Sequence, residues 1–165
     1  MDSEIGKLFL DYSVRKLTQM NGNVEACLSK LNDQQVWQRE AAHENTVGNL
    51  VLHLCGNIRQ WIMHGVHNDP DVRTRDAEFS ANEGMTAKQL AELFSKTIAE
   101  AKGVIGSLPP ARLVEKTDPQ KLGAVSVLDA IYQVVGHIQQ HVGQIILLTK
   151  QMTGSDLDLS IPRPR

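Results

Sequence analysis

Cysteine is scarce in this chain: its 165 residues contain only Cys27 and Cys55. Two thiols allow at most one bridge, so a disulfide framework is excluded and free thiols of a reducing compartment are expected. Charge of one sign is missing as well. Seventeen Lys and Arg stand against 19 Asp and Glu, for a formal charge of -2, and the basic residues are scattered. That leaves no electrostatic footprint for nucleic acid or an anionic membrane, and a small molecule is the expected partner. Uninterrupted apolar runs are also absent. Residues 46–66, "TVGNLVLHLCGNIRQWIMHGV", approach the length of a membrane span, but His53, Asn57, Arg59, Gln60 and His64 interrupt them. The opening "MDSEIGKLFLDYSVRKL" mixes acidic and basic residues from the start and lacks the charged-then-apolar order of a secretory signal. A cytoplasmic chain is expected.

What is present suits one domain over residues 1–165. With 41% hydrophobic and 22% charged residues, the chain can bury a core without a metal or a disulfide as prerequisite. Four segments carry a helical pattern. The first spans about Ser3 to Leu31, with Ser3 as candidate cap, Leu8, Phe9, Tyr12, Val24, Leu28 and Leu31 on its apolar side, and a loosening at "NGN" 21–23. The second opens at Asn45 or Thr46 and repeats Val47, Leu50, Val51, Leu54, Ile58, Trp61 and Ile62 at spacings of three and four. A polar connection, "HNDPDVRTRDAEFSANEG", follows; its Asn, Asp, Pro and Gly content argues against regular structure, and its length suggests function. Thr86 with Gln89 caps the third helix, which carries Leu90, Leu93, Phe94, Ile98, Ala101 and Ile105 to a stop at "SLPP". After "ARLVEKTDPQKLG", a connection with room for a short extended piece, Ser126 and Asp129 open the fourth helix, and Gly154 closes it. The expected fold is all-α, a four-helix bundle; an irregular α-domain is the alternative.

Two histidines fall inside the last helix, in "HIQQHVGQ". At roughly 100° per residue, His141 lies about 40° around and about 6 Å along from His137, so the rings share a face bordering the apolar stripe. Carbonyls or Gln side chains could satisfy such a pair. On the second helix, however, His53 also sits at an edge of the apolar arc. Three imidazoles on two helices, with a fourth position vacant, suit zinc or a neighbouring transition metal. His64 shares the azimuth of His53 but stands about 16 Å away, and His43 and His67 lie outside the helices. Cys55 points away from His53 and is expected as a packed thiol. Glu40 and His43 spell E-x-x-H, yet a di-iron carboxylate bundle needs a second copy that is not there. Asn57, one turn beyond His53, and Gln144, close to the azimuth of His137, are placed to orient a ligand or to be solvated edge residues. No Asp or Glu falls on the histidine faces of these two helices, which weakens a base-assisted metallohydrolase.

With "TVGNLVLHLCGNIRQWI" in one helix, "VRTRDAEF" in the loop, "GHIQQHVGQIILLTKQM" in the last helix and "SIPRPR" at the end, the sequence resembles the DinB-like superfamily. It is most similar to a subfamily with H-L-x-G-N-x-R, R-D-x-E-F and H-V-G-Q-I motifs. The resemblance implies an up-down-down-up four-helix bundle, often a homodimer, with a divalent metal such as zinc or nickel on His53, His137 and His141. It also implies a metal-dependent enzyme, possible chemistry being transfer to or from a low-molecular-weight thiol. Arg73, Arg75 and Asp76 match the loop pattern, where an arginine is placed either to hold a substrate carboxylate or to pin the loop. The alternative function is a non-catalytic dimeric bundle, its metal serving structure or stress response.

Overall fold

The computed structural model describes residues 2–159; the motif "SIPRPR" lies outside the described residues. Helix α1 covers Asp2–Leu28, α2 Val47–Ile58, α3 Arg75–Ser80, α4 Ala87–Ser107 and α5 Val127–Thr153. The expected starts hold. Thr46, Ser126 and Thr86 each accept from the backbone N–H three residues on, and the side chains of Asn49, Asp129 and Gln89 reach back to their N–H groups. Each capping box satisfies amides that the helix cannot pair itself. Gly154 ends α5 in the left-handed conformation, φ 63°, which a residue without Cβ adopts at no steric cost.

Two local expectations are corrected. Helix α1 runs straight through "NGN", because Met20 and Val24 are buried on either side and Asn21 Nδ2 donates to Glu25 Oε1 at 3.0 Å. Packing of the flanking turns outweighs the roughly 1 kcal/mol that a mid-helix Gly costs. The buried face of α1 is as expected in part: Val24, Leu28 and, just beyond the helix, Leu31 are buried, joined by Leu10, Leu17 and Met20, while Leu8 and Tyr12 are exposed at 61% and 52%. Helix α2 continues without a break into a π-helical turn, Arg59–His64, where the Gly65 N–H bonds five residues back to the Gln60 carbonyl at 3.1 Å.

Side-chain contacts set the directions of the four long helices. Ser95 Oγ lies 2.7 Å from Glu25 Oε1 near the end of α1, and Gly106, at the far end of α4, approaches Val14, so α1 and α4 run antiparallel. Cys27 and Thr149 are hydrogen-bonded near the C-terminal ends of α1 and α5, which are therefore parallel. Arg59 pairs with Glu100 and Cys55 with Thr97, so α2 and α4 also run the same way. The result is an up-down-down-up bundle in which α1 and α2 face each other across a core filled by Phe94, Leu17, Leu54, Ile58, Ile131 and Ile138. A two-residue antiparallel pairing, β1 (Lys116–Thr117) with β2 (Val125–Ser126), leads into α5.

Phe94 is fully buried at the centre of α4. Phe94→Ala should lower unfolding free energy by about 3–5 kcal/mol without changing the denaturant slope, as read by urea titration.

Candidate metal centre

The three histidines singled out by helical projection converge. His53 on α2 faces His137 and His141 on α5 because those helices are antiparallel neighbours at this level, and the rings stand 5.0, 5.2 and 4.5 Å apart. One nitrogen from each lies within 4.8 Å of the others, so the group could hold a metal ion. Among the described residues this is the only such group, and it contains no carboxylate.

Each ring is oriented by a partner. The Nδ1 of His53 lies 3.0 Å from Glu78 Oε2, in a setting where both side chains are nearly inaccessible. Arg73 grips the same carboxylate with two bonds of 2.8 Å, Nε to Oε1 and Nη2 to Oε2. A paired carboxylate accepts, so the proton sits on Nδ1 of His53 and donates to Glu78, leaving Nε2 with a lone pair. That Nε2 stands 2.9 Å from Nε2 of His137, which must then be the donor between them. His141 donates from Nδ1 to Gln144 Oε1 at 2.6 Å, again leaving Nε2 free. His53 and His141, held at Nδ1 by outer partners with Nε2 turned to the group, and His137 beside them suit a divalent transition metal.

Burial, the largest cause, lowers the pKa of His53 against the opposing pull of Glu78. His137 is pushed down to about 4, first by burial and then by the charges of His141, His53 and Arg73. Both imidazoles are therefore neutral at physiological pH, the protonation state a ligand needs.

Glu78 is the residue that reading the two histidine helices missed. It arrives from α3, the short helix inside the polar connection where no regular element was expected. Asn49 Nδ2 pins that helix to α2 by donating to the carbonyls of Glu78, at 2.9 Å, and Ala81, at 2.6 Å. The signal was present in "VRTRDAEF", which carries both Arg73 and Glu78. Gly56 makes the approach possible: a Cβ there would stand 2.8 Å from the Glu78 carboxyl carbon and 3.0 Å from Arg73 Nε. Beyond Arg73, Gln60 accepts from Arg73 Nη1 at 3.0 Å and donates to Asp71 Oδ2 at 3.1 Å.

The other candidate residues separate. Gln144 touches the triad through His141. Asn57 is buried one turn from His53, and its Oδ1 has no hydrogen-bond partner. Arg75 is exposed and stacks its guanidinium 5.1 Å from the Phe79 ring centre; that ring in turn lies 4.8 Å from His53, so Arg75 reaches the centre only through Phe79. Cys55 is a buried thiol whose pKa is pushed up to about 12 by burial, which makes it a poor nucleophile or ligand. His64 donates from Nδ1 to the Asp69 carbonyl and His67 pairs with Asp69, both away from the triad. A cavity of about 720 Å³ is lined by Leu50, one turn before His53, and by Gln144, whose Oε1 accepts from His141; the three histidines themselves do not line it.

Comparison with known proteins adds the following. A family model described as a protein of unknown function (DUF1572) matches residues 4–165. No curated protein matches the chain. Among solved structures, a conserved protein from Enterococcus faecalis superposes with a TM-score of 0.74 at 14% identity, covering 88% of this chain and 97% of that one. A DinB-like protein, YjoA, from Bacillus subtilis gives 0.67 at 13% identity over 88% and 93% of the two chains. A DinB-like protein from Bacillus cereus gives 0.66 at 18% identity over 85% and 90%. Identities this low establish a shared fold.

Two expectations follow from the geometry. Glu78→Gln keeps the shape but weakens the hold on His53, and Gly56→Ala displaces the carboxylate; each should reduce zinc affinity about tenfold or more, measured by competition with a chelating dye. Unchanged affinity in both would show that Glu78 does not orient the ring. In the metal-free chain, stability should be complete above pH 6.5, the ordinary histidine value, and fall as pH drops toward about 4, because the unfolded chain takes up protons that folded His137 refuses. Urea midpoints against pH should show this slope, and His137→Ala should flatten it.

Proposed function

The chain belongs to the DUF1572 family and has the fold of the DinB-like proteins, and from that footing we propose that it is a divalent-metal-dependent enzyme acting on a small molecule. The observation that carries the reading is the all-imidazole group of His53, His137 and His141, with His53 and His141 held by Glu78 and Gln144, His137 and His141 only half-buried, and Gln144 lining a cavity. A structural ion is enclosed by four protein ligands, whereas three ligands beside an opening suit chemistry. Zinc or nickel is the proposed ion, since borderline metals favour neutral imidazole. When bound, it would supply Lewis acidity that lowers the pKa of a coordinated thiol or water.

The reaction class follows from what the protein side chains leave free. Among the described residues the one carboxylate bonded to the triad, Glu78, has both oxygens engaged, Oε1 by Arg73 and Oε2 by Arg73 and His53. It holds a proton at His53 Nδ1 and cannot also take one from a water in the cavity. Among the described residues no other carboxylate is hydrogen-bonded to the three histidines, and a nucleophile that ionises near neutral pH, such as a low-molecular-weight thiol, fits better than water. We therefore favour a thiol-dependent transferase. Asn57 offers an unpartnered acceptor, and Gln144 an amide at the cavity edge, as positioning groups for the substrate. Arg75 would serve from outside, by holding Phe79 against His53.

Surface features bear on the setting. No helix among the described residues is long and apolar enough to cross a membrane. The parallel neighbours α1 and α5 leave Ile5, Leu8 and Tyr12, and Leu128 and Tyr132, exposed, which supports a homodimer.

Protein purified without chelator or polyhistidine tag should carry about one zinc or nickel per chain by elemental analysis. Replacing any of the three histidines with Ala should abolish that metal while leaving helical circular dichroism intact. Small thiols added to the cobalt-substituted form should produce a charge-transfer band. Full metal content in all three variants would sink the metal centre, and metal without any thiol response would sink the transferase.

A further inference from the structure

The cavity that Gln144 links to His141 lies between the segment that precedes α2 and the C-terminal half of α5, and it carries both signs of charge. Arg39, Glu40 and Glu44 all line it. None of the three enters an ion pair among the described residues, although they share one wall. Glu44 Oε2 accepts the backbone N–H groups of Glu40 and Ala41 at 3.0 and 3.1 Å, bonds that hold its carboxyl below the usual carboxylate range and leave Oε1 open. The other wall is one face of α5, where the amides of Gln144 and Gln151 alternate with Leu147, Leu148 and Met152, and Asn45 adds an amide from the loop side. Separated opposite charges, amides and a hydrocarbon face together describe the ligand that would satisfy them.

We propose that this cavity binds the substrate of the metal centre and that the substrate is a small zwitterion with an amide between its charges, a dipeptide-like molecule. Its ammonium would face Glu40 and Glu44, its carboxylate Arg39, and its side chain the apolar wall. A simple carboxylate would meet two acidic groups and a simple amine would meet Arg39; only a molecule carrying both charges pairs with all three charged groups. At about 720 Å³ the cavity is of ordinary ligand size. The assignment takes its functional meaning from the metal-centre reading, because Gln144 lines the cavity and accepts from His141 of the triad.

The test is calorimetric titration of the zinc-treated chain, at low salt, with four probes: leucylglycine, leucylglycinamide, N-acetyl-leucylglycine and N-acetyl-leucylglycinamide. Leucylglycine should bind about fivefold or more tighter than the doubly neutral probe, with the singly charged probes between. Arg39→Gln should remove the preference for a free carboxylate, and Glu40→Gln combined with Glu44→Gln the preference for a free amine. These are surface positions, and circular dichroism checks that each variant folds. Equal affinity for all four probes, or a ranking that survives both sets of substitutions, overturns the assignment. Zinc stoichiometry measured alongside separates the two readings. A ranking retained in a chain that takes up no zinc supports the cavity and removes the metal centre, whereas one zinc per chain with no ranking does the reverse.

Discussion

The bidentate pair between Arg73 and Glu78 is the constraint on which the site depends. A carboxylate that is 8% exposed would lose more in desolvation than any single hydrogen bond returns, so Glu78 requires a cation with matching geometry. Arg73 supplies it, and removing either partner of such a buried pair typically costs about 3–5 kcal/mol. Once paired, Glu78 still has one lone pair aimed at α2, and His53 Nδ1 fills it. The tautomer of His53 is thereby settled by an arginine 20 residues along the chain. The ion pair thus couples a surface connection to the orientation of a core imidazole.

Several features of α2 serve that pair. Gly56 leaves room for the carboxylate and the guanidinium against the helix, Asn49 ties down the backbone of α3 while completing the cap of α2, and Gln60 supports the outer side of Arg73. Gln60 sits in the π-helical turn, a register change that is rare and frequently found at functional sites. On the opposite side of the triad the demands are lighter. His141 is held by Gln144 from its own helix, and the neighbouring wall of the cavity is left to side chains with unused hydrogen-bonding and charge. The centre is bonded to α3 on one side and linked to the cavity through Gln144 on the other.

Much of this was legible in the sequence, for identifiable reasons. Helix starts were readable because a capping box is a local contact between residues three apart, and Thr46, Thr86 and Ser126 all behave as that chemistry requires. The histidine trio was readable because azimuth on a regular helix follows from residue number alone, and His53, His137 and His141 lie on long, uninterrupted stretches. The same method misplaced Leu8 and Tyr12. Helix α1 carries apolar residues on more than one side, and which side is covered depends on where α4 and α5 stand.

The sequence by itself determined the elements, their caps and the imidazole donor set, because each rests on interactions within a few residues or on the fixed pitch of a helix. Only the tertiary structure decided that Glu78, and not a residue of the histidine-bearing helices, orients the centre. No local rule predicts which surface connection will fold over which helix, since that choice is made by burial of a charge pair and by the gap that Gly56 leaves. The protonation states of the histidines follow the same division: residue type makes them able to be ligands, while burial between α2 and α5 makes them neutral ones.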